Sequence, residues 1–197
     1  MKEAKITYFE EPGEKNTDQA LDAALERLGE KDVKHVVVAT HRGSTVLKAA
    51  EKFKGLGLNI VAVTVPASTK PAVLEEWGKS LPKMEKLGIK THRGTSSLSG
   101  TERGFRLRWG GVGPTMLVAD TLRTLGEGTK VCVETLLMAT DAGLVPAGEN
   151  AMAIAGTSRG ADTCLILKST FSSKFFELAI REVVCKPYTD GVKHEAR

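Results

Sequence analysis

A short polar loop at residues 40–45, Thr-His-Arg-Gly-Ser-Thr, follows directly on a β-branched apolar run. An amphipathic helical pattern begins at once after it. Backbone N–H groups at the start of a helix attract anions, and a glycine lets the backbone approach a bound group. Three hydroxyls and the Arg42 guanidinium add donors, so this loop is predicted to bind phosphate. A single Ser/Thr helix cap beside a solvated arginine is the alternative interpretation.

Two acids in an apolar setting are the next candidates. Glu134 interrupts an apolar run, and Asp141 closes the segment that follows it. A buried carboxylate must be paired or hydrogen-bonded, because it has lost its hydration. The two acids could bind a sugar or ribityl hydroxyl, or act as general acid and base. A buried ion pair between Glu134 and either Arg103 or Arg159 is the alternative.

Arginine recurs in three further polar segments. Residues 97–109 contain a cluster of arginines beside Trp109, which could clamp a phosphorylated ring, contact nucleic acid or remain solvated. The Thr-His-Arg-Gly of residues 40–43 returns at 91–94, and residues 156–163 repeat the same Gly, Ser/Thr and Arg types. Each segment at 91–94 and 156–163 follows a predicted strand. Because the carboxyl ends of parallel strands share one sheet edge, both could join the loop at 40–45 in one pocket, although the short repeat is also compatible with chance.

Composition limits the partners. The chain has 197 residues, a formal net charge of +4 and only 5% aromatic residues, with acids and bases mixed along its length. This balance favours a small anionic ligand over nucleic acid, which usually binds to clustered basic residues. The sequence contains no apolar run of membrane-spanning length and no metal-ligand spacing. Three cysteines without a CxxC motif are predicted to be small core residues of a cytoplasmic protein.

The elements that would position these residues alternate between β-branched runs and helical patterns, which indicates a mostly parallel, mixed sheet with helices on both faces. We predict a single α/β domain over residues 1–197. Residues 94–113 are predicted to lack regular structure and to be functional. Strands are predicted at 6–9, 35–39, 59–65, 89–91, 130–138, 151–156, 163–167 and 181–185. Helices are predicted after 16–18 and at 44–53, 74–87, 116–125 and 171–178, with Pro82 kinking or splitting the third.

The order of several motifs resembles a known family. The matching segments are Phe-Glu-Glu-Pro-Gly at 9–13 with Asn-Thr at 16–17, the strand and loop at 35–45, Ser-Gly-Thr-Glu-Arg at 99–103, and residues 134–146 and 156–163. Together they resemble stand-alone archaeal and bacterial proteins related to the C-terminal α/β domain of pyruvate kinase. The resemblance implies a three-layer sandwich, and no pyruvate kinase activity is expected, since that chemistry belongs to the barrel domain of the enzyme.

The resemblance also implies a ligand. In pyruvate kinase the corresponding Ser/Thr-rich loop binds the phosphates of an allosteric sugar bisphosphate, a role that falls here on Thr40, Ser44 and Thr45 around Gly43. His41 and Arg42 depart from the small hydroxyl residues often found there. Stand-alone members resemble flavin mononucleotide (FMN) binders, so FMN is the preferred ligand.

We therefore expect a phosphorylated small molecule, FMN in particular, at the carboxyl edge of the sheet. An enzyme acting on a phosphorylated metabolite, or performing flavin redox chemistry, is the alternative, and a homo-oligomer is possible. Substitution of Arg42 by Ala or Gly43 by Val is expected to weaken binding without unfolding the protein. The predicted ligand-binding residues are Thr40, His41, Arg42, Gly43, Ser44, Thr45, Thr64, Ser99, Gly100, Arg103, Glu134, Met138 and Asp141.

Overall fold

The computed structural model describes residues 1, 3–30 and 32–188. Within these residues a seven-stranded sheet has the order β1-β7-β6-β5-β2-β3-β4. Its strands are β1 (Thr7–Phe9), β2 (His35–Ala39), β3 (Asn59–Thr64), β4 (Lys90–Arg93), β5 (Asn150–Ala155), β6 (Thr163–Lys168) and β7 (Ala179–Pro187). The predicted mixed, mostly parallel sheet is confirmed, since β6 alone runs opposite to the other strands.

Helices cover both faces of the sheet. They are α1 (Thr17–Leu28), α2 (Ser44–Lys52), α3 (Pro71–Lys86), α4 (Gly100–Trp109), α5 (Pro114–Arg123) and α6 (Glu127–Asp141), with two short 3₁₀ helices at Glu14–Asn16 and Ser172–Glu177. Side chains of a strand point alternately to opposite faces. Val36 and Val38 therefore pack in the core under α1, α2 and α3, whereas Val37 packs with α5 and α6. The result is the predicted three-layer sandwich.

One predicted strand is a helix. Residues 130–138 belong to α6, which is buried along almost its whole length against β5, β2 and β6. A helix that is buried on nearly every side has no exposed polar face, so it lacks the 3.6-residue periodicity that distinguishes a helix from a buried strand. Cys132 consequently lies in a helix, although all three cysteines are buried as predicted.

The stretch at 94–113 is also more ordered than predicted. It contains α4, a ten-residue helix that has no buried residue and therefore no apolar stripe in the sequence. The other differences are smaller. The third helix continues through Pro82, and element ends differ by a few residues. Among the helices of the described residues, none has the length and apolarity needed to cross a membrane.

Candidate functional site

A cleft of about 220 Å³ opens at the carboxyl ends of β2 and β5, which are neighbours in the sheet. After β2 the chain returns to form β3 on one side of β2, whereas after β5 it forms β6 on the opposite side of β5. The two loops diverge, and a crevice at such a switch point is the usual ligand position in an open α/β sheet. The carboxyl-edge cleft is lined by Glu14, Ala39, Thr40, His41, Arg42, Ser44, Thr45, Glu127, Val131, Gly156, Ser158, Arg159 and Gly160.

The first wall of the cleft is the loop that enters α2. Its first-turn amides, on residues 44–46, have no hydrogen-bond acceptor among the described residues, and the first returning bond is from Leu47 N to Gly43 O. No side chain caps the helix. Ser44 and Thr45 of this turn line the cleft, and Thr45 is buried. Free amides at the start of a helix favour an anion at this position.

Gly43 shapes this loop without lining the cleft. Its φ is +98°, and its N–H donates to Thr40 Oγ1 at 3.0 Å. A Cβ at this position would lie 2.6 Å from Ser80 Cβ and 2.4 Å from Met84 Cε. The glycine is therefore required for packing of the loop against α3. A Gly43→Val change should destabilise the fold, contrary to the expectation that it would affect binding alone.

Thr64 likewise supports the loop from behind. It is buried, and its hydroxyl donates to the carbonyl oxygen of His41 at 3.2 Å. It does not line the cleft. Thr64 was predicted to surround the ligand. As the last residue of β3 it points its side chain at the neighbouring loop, so its role is to support that loop.

Charges of both signs surround the carboxyl-edge cleft. Arg42 Nε lies 2.9 Å from Glu76 Oε2 without hydrogen-bond alignment, so this guanidinium is held at the rim by α3. Arg159 is exposed on the opposite loop and forms no ion pair with a described residue. Glu14 and Glu127 add carboxylates, so the cleft offers hydrogen-bond acceptors beside its cationic donors.

His41 contributes an imidazole that favours the neutral form. Partial burial lowers the pKa of His41 below its usual value, and the positive charge of Arg42 lowers it further. A neutral imidazole has one donor and one acceptor nitrogen, so it can bind either an oxyanion or a hydroxyl. An anion bound in the cleft would favour its protonation.

The second wall of the cleft is fixed by a buried carboxylate. Asp162 is fully buried and accepts hydrogen bonds from Gly13 N at 2.8 Å, Thr157 N at 3.0 Å and Thr163 Oγ1 at 2.7 Å. Between these anchors Ser158 has a φ of +70°, unusual for a residue with a side chain. The loop at 156–160 is therefore held in one shape against the segment around residue 13.

Three lining residues escaped the sequence analysis. Glu14 enters because Thr17 Oγ1, which donates to Glu14 O, also accepts from Ala161 N at 3.0 Å and so joins the amino-terminal segment to the cleft. Glu127 and Val131 lie in the first turns of α6. The sequence analysis assigned residues 130–138 to a strand. Such a strand would not place its first residues at the ends of β2 and β5, so these α6 residues were not predicted to line the cleft.

Three of the predicted residues lie on α6, away from the cleft. Glu134 pairs with Lys130 on the same helix at 2.5 Å, instead of with Arg103 or Arg159, and Met138 is buried in the core. Asp141 is exposed and accepts from Ser172 N at 2.9 Å. It lies seven residues after Glu134, about 10 Å along the helix, and the two side chains have different partners. The two acids therefore do not share a site.

The segment at 99–103 faces a different cavity. Ser99 and Arg103 line that second cavity, and Gly100 begins α4 beside it. The repeat at 91–94 is separate again, since it lies in and just after β4, two strands from β2. Arg93 there lies over the Trp77 ring, 5.9 Å from its centroid. The loop at 156–163 does join the first loop at the cleft; the repeat at 91–94 does not.

Comparison with known proteins gives the family. Residues 18–167 match the family described as pyruvate kinase, alpha/beta domain. The chain belongs to this family. The match includes both loops of the carboxyl-edge cleft, and it confirms the resemblance inferred from the motif order.

A solved structure is also similar in part to this pyruvate kinase alpha/beta domain protein. It is an NH3-dependent NAD synthetase from Campylobacter jejuni in complex with the nitrate ion, 18% identical, with a TM-score of 0.35. The likeness covers 56% of this chain and 47% of that one, so this chain spans about half of the other. At that TM-score it carries no argument about a ligand. No group of three metal-ligating side chains occurs within the described part of the chain.

Proposed function

We propose that this protein binds a phosphorylated small molecule, with its phosphate on the first turn of α2. The observation that carries the proposal is the set of unpartnered amides at residues 44–46, in the helix turn whose Ser44 and Thr45 line the cleft beside Arg42. Helix N-termini bind phosphate through such amides and through the helix dipole. Arg159 faces the same space from the second loop and adds a cation.

FMN is the specific ligand that we propose. The cleft is smaller than the roughly 300–1,000 Å³ usual for whole small-molecule sites, and the described residues that line it include no aromatic side chain. The phosphate and part of the ribityl chain would be enclosed, with the flavin ring at the mouth. Glu14 and Glu127 supply carboxylates that can accept hydrogen bonds from ribityl hydroxyls.

A second candidate function rests on His41. The residue lines the cleft, and its lowered pKa keeps the imidazole neutral near pH 7, as a general base requires. The protein would then be an enzyme acting on a phosphorylated metabolite. Turnover that a His41→Gln variant loses while still binding the metabolite would favour this candidate over a purely binding function.

We also propose that the protein resides in a reducing compartment, the cytoplasm. Its three cysteines are free and buried, and burial raises the pKa of each thiol. Protonated, buried thiols suit a core that never depends on a disulfide.

The proposed site is tested by titrating FMN and riboflavin, which differ by the phosphate, and following the quenching of flavin fluorescence. We expect FMN to bind at least tenfold more tightly than riboflavin, a difference of about 1.4 kcal/mol. Arg42→Gln should weaken FMN binding and leave riboflavin unaffected. Lys48→Gln is the matched control, because Lys48 lies on α2 but pairs with Asp18 outside the cleft.

Equal affinities for FMN and riboflavin would contradict a phosphate anchor. If neither flavin binds, but inorganic phosphate binds to the wild-type protein and less well to Arg42→Gln, the phosphorylated-ligand proposal stands and FMN is excluded. An Arg42→Gln effect no larger than that of Lys48→Gln would place the ligand elsewhere.

A further inference from the structure

A second cavity, of about 460 Å³, shares no lining residue with the carboxyl-edge cleft, although its Arg123 pairs with Glu127 of that cleft. It is enclosed by residues 96–99, by α4 and α5 and by the second turn of α6. Its volume falls within the usual range for sites that bind a complete small molecule. The carboxyl-edge cleft has about half this volume.

Most charges in the second cavity are already compensated. Arg123 pairs with Asp120 at 2.7 Å and with Glu127 at 2.6 Å. Lys130 pairs with the buried Glu134. These pairs set three carboxylates against two cations, so the paired groups carry no excess of positive charge.

The remaining acid is bonded through Oε2, whereas its Oε1 is buried without a hydrogen-bond partner among the described residues. Glu102 accepts a hydrogen bond from Thr115 N at 3.1 Å and another from the hydroxyl of the same threonine. Its carboxylate therefore caps the start of α5 and does not pair with an arginine of α4. Helix N-termini favour a carboxylate at this position, so Glu102 is stable there.

Two guanidinium groups remain uncompensated. Arg103 and Arg106 line the cavity, and neither forms an ion pair with any residue that the structure describes. They are three residues apart on α4 and so lie on one face of the helix. The nearest described partner of Arg106 is the weak acceptor Met116 Sδ, at 3.9 Å from Nη1.

The cavity also offers neutral donors. Ser96, Ser99 and Thr115 line it with hydroxyl groups. Arginine forks and hydroxyls are the side chains that recognise phosphate and carboxylate groups. Since α4 has no buried residue, its basic face is not required by core packing.

We propose that the second cavity binds a small polyanion, a molecule with two or more phosphate or carboxylate groups, independently of the ligand in the carboxyl-edge cleft. Two uncompensated guanidinium groups match at least two anionic groups, and the volume admits the skeleton that joins them. The proposal does not depend on FMN binding, because no residue is common to the two sites.

Isothermal titration with pyrophosphate tests this site in the full-length protein at about 0.15 M salt, where unspecific surface attraction is largely screened. We expect two pyrophosphate sites in the wild-type protein. Arg103→Gln/Arg106→Gln should weaken one of them at least tenfold, whereas the phosphate site of the carboxyl-edge cleft should remain. Arg42→Gln should retain the site in the second cavity, since Arg42 belongs to the other site. The charge-matched control is Arg108→Gln/Lys79→Gln, which removes two cations that do not line the cavity.

Each result decides the proposal. An equal loss in the control and in Arg103→Gln/Arg106→Gln would show unspecific attraction and overturn it. A single pyrophosphate site, lost in Arg42→Gln and retained in Arg103→Gln/Arg106→Gln, would be that of the carboxyl-edge cleft and would overturn it too. Absence of binding to the wild-type protein at pyrophosphate concentrations on the order of 1 mM would also overturn it. Both arginines are on a helix without buried residues, so an unchanged urea midpoint is expected for the double variant.

Discussion

His41 and Arg42 follow each other in the loop before α2, and both line the carboxyl-edge cleft. Arg42 is oriented by Glu76 of α3, whereas the main chain of His41 is fixed by Thr64. The sequence predicted the loop because its residue types are polar and adjacent in the chain. It could not predict the supporting role of Gly43 or Thr64, because their partners come from distant elements.

The lowered pKa of His41 predicts a pH dependence of stability. Above the usual histidine pKa of about 6.5, His41 is neutral in both the folded and the unfolded chain, and its titration costs no stability. As the pH falls through 6.5, the unfolded chain takes up the proton first. The free energy of unfolding should then decline until the lower pKa of the folded state is reached.

Urea unfolding of the wild-type protein and His41→Gln at pH 7.5 and 5.5 measures this effect. The wild-type protein should lose more stability on acidification than the variant does. Burial also lowers the pKa of His92. Because His92 is present in both proteins, its contribution cancels in the comparison. Identical losses in the two proteins would contradict the assignment to His41.

At the scale of elements, the cleft depends on loops that are held by a few buried groups. Asp162 accepts three hydrogen bonds that join the loop at 156–160 to Gly13. An Asp162→Asn change replaces one acceptor oxygen with a donor nitrogen, so at least one buried N–H or O–H loses its partner. We expect a loss of about 1–3 kcal/mol in the free energy of unfolding.

Urea unfolding checks this value, and amide hydrogen exchange should show faster exchange at Thr157 than in the wild-type protein. Asp120→Asn is the control, since Asp120 is exposed and its ion pair is expected to contribute little. A loss below about 0.5 kcal/mol in Asp162→Asn would show that the loop does not depend on the carboxylate.

Most elements were predictable from local patterns, and the exceptions have a common physical cause. Strands β2, β3 and β5 are short β-branched or apolar runs bounded by polar residues, and α1 and α2 have one apolar face each. In contrast, α6 is buried on nearly every side and α4 has no buried residue. Periodicity identifies a helix only when its two faces meet different surroundings. The misassigned α6 is also why Glu127 was missed and why Glu134 and Asp141 were grouped together.

Across the whole molecule, the reversed strand β6 places β7 and β1 on the far side of the sheet from β2, β3 and β4. Arg27 of α1 ties this far side to the rest. It is 8% exposed and bonds through Nε to Glu182 of β7 at 2.6 Å and through Nη1 to Asp32 at 2.8 Å. Hydrogen bonds to Asp32 and then to Glu182 raise the pKa of Arg27, so the charge persists at every accessible pH.

Arg27→Met should therefore destabilise the molecule as a unit. The methionine fills much of the volume but removes the guanidinium that pairs with the partly buried Glu182. Removal of one member of a buried ion pair typically costs about 3–5 kcal/mol, and the lower end applies because Asp32 can regain water. Equilibrium urea unfolding should show the loss in one cooperative transition.

The double variant Arg27→Met/Glu182→Met should recover part of this loss in stability, because it also removes the carboxylate that Arg27 pairs with. If Arg27→Met cost no more than Lys48→Gln, an exposed cation of α2, the two sides of the sheet would be joined by packing alone.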